Sequence, residues 1–443
     1  MQNSAHRYAE FRSMIRKLLN RMRCSGKRIA ISWIRVQSGP SGASGFGCEF
    51  RIEANFMRVE PLEIQEPSIS KDQAFDNLEN GTATMALESG VSVIICCHNS
   101  AQRLPTTLEH LRNQKVEGFP WEVILVDNGS TDNTARFAEE LWLSQEAPVA
   151  LKIVSEPQLG LTFARRRGTQ EARYDLLSFV DDDNWLAPDW VQSLFELMSS
   201  HPEVGACGGY SRAEFGGNCP EWFDDFCHLY AVNGQNCLQG DVTDRRALWG
   251  AGLTFRRSCL DQLETEFGFK SILCGRKGKR LSAGEDVEMC LALRLAGWKL
   301  WSEPRLSLVH FLPAPRLDWQ YLRRLAYGSA FATPGHDALF FALKPARKGP
   351  LAVARRLRES WLWQTLSATA ALMLHPVVLV RSLFSSGEGN QEIINTEFRK
   401  GRLMGLLASF AWYGQRRLEV GRMAKKMTAK CDLAASRGST STL

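Results

Sequence analysis

The chain has 443 residues, 44% of them hydrophobic and 23% charged, ordinary proportions that exclude wholesale disorder, a collagen-like repeat and a multi-span transporter. Its length suits two or three domains with sizeable cores. The net charge of +6 is uneven: from Lys344 onward 17 Lys and Arg face 6 Asp and Glu, so the tail carries +11 and the remainder about −5. A basic tail suits an anionic lipid surface ahead of nucleic acid, and no nucleic-acid partner is expected.

In chain order, residues 7–28 predict a short basic amphipathic helix carrying Met14, Ile15, Leu18 and Leu19. Residues 38–45, Ser-Gly-Pro-Ser-Gly-Ala-Ser-Gly, have linker chemistry, and no apolar run of the signal-peptide kind precedes them. Residues 1–88 are expected to be a flexible or poorly ordered extension, with Met85 a natural start ahead of the first strong strand. The twelve Cys lack the paired short spacings of a zinc site, so reduced thiols are expected, with a disulfide among Cys207, Cys219, Cys227 and Cys237 left open.

From residue 91 the pattern alternates. Residues 91–97, 122–126, 152–155 and 176–180 are short β-branched runs of the kind buried on both faces of a sheet. Helical spacing fills the gaps at 104–111, 132–143 and 163–173. The order β-α-β-α-β-α-β argues an α/β fold with a mostly parallel, doubly wound sheet, whose ligands sit at the carboxyl ends of the strands. Further on come a strand at 253–255, a helix at 287–296 and a strand at 306–311. Residues 361–380 are apolar but interrupted by Gln364, His375 and Pro376, and a second apolar stretch, 403–413, is too short to cross a bilayer. Basic residues flank both, which favours in-plane helices on an anionic membrane; a pair of helices packed on the main domain is the alternative.

The chemistry concentrates after the strands. Asp181, Asp182 and Asp183 follow the run 176–180, and three adjacent carboxylates repel one another unless something cationic joins them. Hard oxygen ligands favour Mg²⁺ or Mn²⁺ with positions left for phosphate oxygens, although an acidic triplet alone also suits a turn or helix cap. Asp127 follows the preceding strand in the same way, Arg165 heads the third helix and can counter phosphate charge, and Glu285 and Asp286 open the helix at 287–296. Asp286 as a helix-capping carboxylate is the plain alternative to a chemical role.

In this order the segments Val91-Ser92-Val93-Ile94-Ile95, Val126-Asp127-Asn128-Gly129-Ser130-Thr131-Asp132, Gly160-Leu161-Thr162-Phe163-Ala164-Arg165, Phe179-Val180-Asp181-Asp182-Asp183 and Gly284-Glu285-Asp286-Val287-Glu288 resemble the inverting family 2 glycosyltransferases with the GT-A nucleotide-sugar fold. The resemblance covers residues 91 to about 312. It implies that Asp127, beside the backbone near Cys96 and Asn99, holds the nucleoside, with Arg165, Asp181 and Asp182 also on the donor nucleotide, Asp181 touching the ribose or reaching the metal through water. Asp183 would bind the Mn²⁺ or Mg²⁺ that bridges the diphosphate, and His310 matches a position where some members add a metal ligand. Asp286 would be the general base. Trp249, Gly250 and Ala251 would form the close-approach segment beneath the sugar, with Glu285 and Trp222 toward the acceptor. Two departures stand out: Cys96 replaces a usual Pro, and Asn128 replaces a common Asp.

The resemblance thus implies transfer of one sugar from a nucleoside-diphosphate sugar to a glycan or lipid-linked acceptor in cell-surface or exopolysaccharide synthesis. The domains expected are 1–88, a GT-A domain at 89–315 and a basic helical region at 316–443. A cytoplasmic location, peripheral on the inner face of the plasma membrane, follows from the tail. Processive synthases of this family carry Gln-x-x-Arg-Trp; here Gln320-Tyr321-Leu322-Arg323-Arg324 lacks the Trp, so single transfer is expected. A catalytically silent nucleotide-sugar-binding scaffold is the alternative. A nucleotidyltransferase or a dinucleotide-binding dehydrogenase needs an early Gly-rich loop that Cys96-Cys97-His98-Asn99-Ser100 does not supply.

Overall fold

The computed structural model describes residues 31–36, 52–57, 88–144, 146–233, 239–245, 247–273, 284–345, 349–384 and 387–438. The chain divides into two compact units, residues 1–63 and 64–443. In the first, β1 (Ile31–Val36) and β2 (Ile52–Met57) form an antiparallel ladder. The helix expected at 7–28 and the linker at 38–45 lie outside the described residues.

The second unit opens with the expected alternation: β3 (Glu88–Cys97), α1 (Leu104–Arg112), β4 (Trp121–Asp127), α2 (Thr134–Leu143), β5 (Leu151–Ser155), α3 (Leu161–Glu171) and β6 (Tyr174–Asp181). It continues through β7 (Asn184–Leu186), α4 (Trp190–Ser200), β8 (Val204–Phe215), α5 (Phe223–Phe226), β9 (Gly240–Asp241), β10 (Leu253–Arg256), α6 (Arg257–Thr265), α7 (Glu285–Leu295) and β11 (Lys299–Leu312). These strands make one nine-stranded sheet in the order β5-β4-β3-β6-β10-β8-β11-β7, with β9 on β11.

The fold class is the expected α/β one, and the sheet has two halves of different character. The strands β5, β4, β3 and β6 are parallel, whereas β10 runs antiparallel to both β6 and β8 and only β8 and β11 restore a parallel pair. Alternate side chains of the parallel half enter opposite cores. Ile94, Ile124 and Val126 pack with Leu177, Phe255 and Leu291 on one face, while Val93, Ile95 and Leu125 pack with Leu108, Trp190 and Leu194 on the other. That period of two, apolar on both sides, is why these strands read as continuous β-branched runs.

The remaining helices are α8 (Trp319–Ala342), α9 (Pro350–Arg358), α10 (Trp361–Met373), α11 (Pro376–Phe384), α12 (Gln391–Ala408) and α13 (Tyr413–Gly438). Asp318 caps α8 by accepting from the Tyr321 N–H (3.0 Å), and Asn390 caps α12 by accepting from Glu392 and Ile393. Gly401 and Gly405 of α12 lie on the Tyr327 and Phe331 carbonyls of α8, where any Cβ would collide, so the two helices approach at backbone distance. A third apolar cluster, containing Phe223, Phe226, Leu312, Trp319, Leu322 and Ile393, joins α5, β11, α8 and α12.

The helices α7 and α13 are also tied by charge. Glu288 of α7 is fully buried and meets the Arg416 guanidinium at 2.8 Å, while Arg416 also donates to the Lys270 carbonyl at 2.8 Å. The Ser271 hydroxyl and the Ile272 and Leu273 N–H groups complete the Glu288 carboxylate. The apolar stretch at 361–380 is two helices, α10 and α11, bent by 74° where Pro376 interrupts them. No single described helix is long and apolar enough to cross a membrane.

Candidate active site

The carboxyl edge of the parallel half gathers the acidic residues. Cys96 lies opposite both Val126 and Asp181, and Cys97 lies opposite Asp127, so Asp127 and Asp181 flank the end of β3 in one row. Asp127 Oδ1 accepts from the Ser130 N–H at 3.1 Å. Asn99, in the left-handed region at φ 51°, accepts from the Thr131 N–H at 2.8 Å and so ties the loop after β3 to the loop after β4. Asn128 is buried; its amide donates to the Glu156 and Gln158 carbonyls and its oxygen accepts from the Gly160 N–H (2.8 Å). An Asp there could not make the two donations, which accounts for Asn at that position. The Cys96 thiol is pushed up to about 12 by burial, with Arg165 opposing and Asp181 adding, so it stays protonated at neutral pH.

Beyond β6, Asp182 and Asp183 are both buried and occupied differently. Asp182 accepts from the Ser100 hydroxyl and from Arg103 Nη2 at 2.6 Å, and its backbone carbonyl accepts from Thr107. Burial pushes its carboxyl up, the Asp183 charge adds to the rise, and Arg103 opposes it. Asp183 Oδ2 accepts from Arg316 at 2.7 Å. Burial works against the Arg316 charge, yet Asp183, Tyr321 and Asp182 together outweigh it and the guanidinium is held above its ordinary range. On the other side Asp183 Oδ1 lies 3.5 Å from His310 Nε2, because β11 pairs β7 with His310 opposite Asn184.

A carboxylate oxygen and an imidazole nitrogen at this separation are donors that would suit one divalent cation. Among the described residues no group of three or more His, Cys, Asp or Glu could hold a metal by itself.

A second focus lies at the start of α7. Arg165, on α3, pairs with Glu285 at 3.3 Å and lies over the Phe179 ring at 5.6 Å. Burial works against its charge, but Glu285, Asp181 and Asp286 hold it on, so this one guanidinium senses both ends of the edge. Asp286 Oδ1 accepts from the Val287 N–H at 2.8 Å. Its carboxyl is pushed up by burial first and by the Glu285 charge second, against the pull of Arg165 and His336. Gly250 brings its backbone against this group: a Cβ there would stand 3.2 Å from Asp286 Oδ2 and 3.5 Å from Arg165 Nη2. The half-buried Trp249 and Ala251 flank it. Asp286 sits in the first turn of α7, where a carboxylate also complements the helix dipole, so capping and chemistry are compatible.

His336 was silent in the sequence and is central here. From α8 its Nε2–H donates to the Gly284 carbonyl at 2.7 Å, and its ring occupies the space a Cβ on Gly284 would need. Gly284, at φ 126°, is thereby fixed just ahead of Glu285 and Asp286. Arg103 and Arg316, the cations of the acidic pair, were likewise unmarked, although an arginine shortly after the His310 strand was the available signal. Trp222 is corrected: only 5% exposed, it donates to Glu388 at 2.8 Å and packs edge-on to Trp319 and Phe226, so its faces are not open to a sugar. Cys207, Cys219 and Cys227 are free thiols; Cys237 lies outside the described residues.

The sequence pattern of the family described as "Glycosyl transferase family 2" matches residues 92–263. Over 117 residues the chain is 28% identical to the Bacillus subtilis (strain 168) protein EpsH, covering 26% of this chain and only 33% of EpsH. It is 25% identical to the succinoglycan biosynthesis protein ExoM of Rhizobium meliloti, over 57% of this chain and 81% of ExoM. Similarity also extends to the glucosyl-dolichyl phosphate glucuronosyltransferase of Haloferax volcanii, 22% identical over 56% of this chain and 78% of that protein. Among solved structures, a mannosyltransferase from Pyrobaculum calidifontis in complex with GDP-Man and Mn²⁺ covers 77% of this chain and 87% of its own at 16% identity and a TM-score of 0.44. The family's sequence pattern lies across β3 to α6, so residues 92–263 carry a family 2 glycosyltransferase domain.

Proposed function

We propose that the chain moves a single sugar, with inversion, from a nucleoside-diphosphate sugar to a glycan or lipid-linked acceptor in cell-surface or exopolysaccharide synthesis, assisted by Mn²⁺ or Mg²⁺. The observation that carries this reading is Arg165, whose partly buried guanidinium pairs with Glu285 at the start of α7 and feels the charges of Asp181 at the strand end and of Asp286. A donor edge and a raised carboxyl are therefore neighbours in one site. The R. meliloti relative is a succinoglycan biosynthesis protein, which supports a role in polysaccharide synthesis.

In this reading the nucleoside lies against Asp127, Asn99 and the backbone at Cys96, with Asp181 and Asp182 beside it and Arg165 countering diphosphate charge. Asp183 and His310 would hold the cation, which when bound stabilises the charge that builds on the departing diphosphate. Gly250 lets the Trp249–Gly250–Ala251 backbone approach the sugar, and Asp286 removes the proton from the acceptor hydroxyl. Its raised pKa brings a carboxylate nearer to working pH, where a base is most effective. Attack from the Asp286 side, opposite the diphosphate, inverts the anomeric centre. Arg324 stands where the processive signature has Trp after Gln320-Tyr321-Leu322-Arg323, which supports transfer of one sugar at a time.

The test is a panel of nucleoside-diphosphate sugars offered to the purified chain with and without Mn²⁺, read by thermal shift. A true donor at about 100 times its Kd adds about 2.7 kcal/mol to the folded state. Stabilisation by one donor only when Mn²⁺ is present is the expected result; a melting curve unmoved by every combination would overturn the reading.

A further inference from the structure

The helices α9, α10 and α11 turn an unusual face to solvent. A helix on a water-facing surface ordinarily presents charged and polar residues outward. Here the outward residues of α10 are Leu362, Trp363, Leu366 and Met373, with Leu374 just past its end, spaced as one stripe of a helix. On α11 they are Val377, Val380 and Phe384, again at helical spacing, with Val377 78% and Phe384 72% exposed. The inward sides are already engaged: the Trp361 indole donates to the Leu406 carbonyl of α12, and the Ser382 carbonyl accepts from Arg323 of α8. The apolar stripe is thus the outside of a packed layer.

The charges on this layer have one sign. Between residues 349 and 384 the sequence holds Arg355, Arg356, Arg358 and Arg381 against a single acid, Glu359. Glu359 is buried and paired with Arg355 at 2.6 Å and Arg417 at 3.2 Å. Arg356, Arg358 and Arg381 remain exposed beside the leucines. Apolar side chains interleaved with unopposed arginines complement the headgroup boundary of an anionic leaflet. A second copy of the chain would bring the same positive arginines face to face and so fits this surface less well.

We propose that α9–α11 form an in-plane docking face for an anionic lipid surface, the cytoplasmic leaflet of the plasma membrane. Insertion is shallow: α10 is 13 residues, about 20 Å, against a hydrocarbon core of about 30 Å, and the 74° bend turns α11 away from a straight continuation. The face is mechanically close to the base. Arg355 of α9 donates to the Phe341 carbonyl at the end of α8, and His336, which holds Gly284, lies five residues earlier, about 7.5 Å along the same helix. Docking would therefore present the Asp286 side of the site near the leaflet, where a lipid-linked acceptor resides.

The experiment is flotation of the full chain with phosphatidylcholine vesicles, with and without phosphatidylglycerol, and no sugar donor, so that it succeeds or fails independently of sugar transfer. Flotation only with phosphatidylglycerol, weakened by salt and released by alkaline carbonate, is expected. Arg356→Gln with Arg358→Gln should weaken it about thirtyfold, and Leu362→Gln or Leu366→Gln about tenfold each, with melting midpoints unchanged because these side chains are exposed. Absence of flotation, equal flotation with neutral vesicles, or resistance to carbonate would overturn the proposal. So would a concentration-dependent dimer in light scattering that the leucine variants dissolve.

Discussion

Replacing Arg416 by Met tests the link between α13 and α7. Arg416 is nearly inaccessible, and its guanidinium gives one bond to Glu288 and one to the Lys270 carbonyl, both at 2.8 Å, while stacking over Phe269 at 5.2 Å. Met preserves much of the apolar volume and removes only the charge and its donors. Glu288, with no exposed surface, is then left without its cation among three neutral donors, the Ser271 hydroxyl and the Ile272 and Leu273 amides. Removing one partner of a buried ion pair costs about 3–5 kcal/mol, whereas removing both charges together is often close to neutral. Urea unfolding of Arg416→Met should therefore show a loss in that range, and Arg416→Met with Glu288→Met should recover most of it. A single-variant loss below about 1 kcal/mol, the range of an exposed pair, would refute the reasoning.

Three further outcomes follow from the site. His336→Ala should lower kcat about ten- to a hundredfold with little change in donor KM, because it frees Gly284 and lets Asp286 drift while leaving the nucleotide side alone; steady-state kinetics checks this. With Asp286 as the proposed base, the rate should rise with pH through an apparent pKa above the usual carboxylate range, since its folded-state pKa is raised. The same shift has the opposite sign for stability. The contribution is fully present below the unfolded carboxylate value near ~3.9 and is lost as pH rises through the raised folded value, a dependence that Asp286→Asn should abolish in pH-dependent unfolding. EDTA should stop turnover, and His310→Ala should shrink the advantage of Mn²⁺ over Mg²⁺ in reactivation assays, because imidazole nitrogen favours the softer ion.

The parallel half of the sheet was legible because strands buried on both faces carry uninterrupted β-branched runs, and their carboxyl ends place Asp127 and Asp181 without ambiguity. The strand β8 was not: Gly208 and Gly209 break its apolar pattern, and Gly209 is required because its Cα faces the Leu306 backbone of β11. The antiparallel turn of the sheet at β10 has no local signature either, since pairing direction is decided by distant chain segments. Residues acting across the fold were the other blind spot. His336 sits on a long helix whose sequence signals only packing, and its contact with Gly284 spans 52 positions. Trp222 shows the reverse error, an aromatic in a suggestive place that the apolar cluster around Trp319 absorbs. The apolar stretch at 361–380 was visible as composition, but its outward face depends on α12 covering the other side.

Donor hydrolysis by purified Asp286→Asn, measured beside the unaltered chain at saturating donor and Mn²⁺, bears most directly on the assignment of chemistry to this edge. With the proton acceptor gone and the charge pair of Arg165 and Glu285 intact, the rate should fall about 10²- to 10⁴-fold while donor affinity holds. An asparagine enzyme that turns over at the original rate would make Asp286 a helix cap and nothing more.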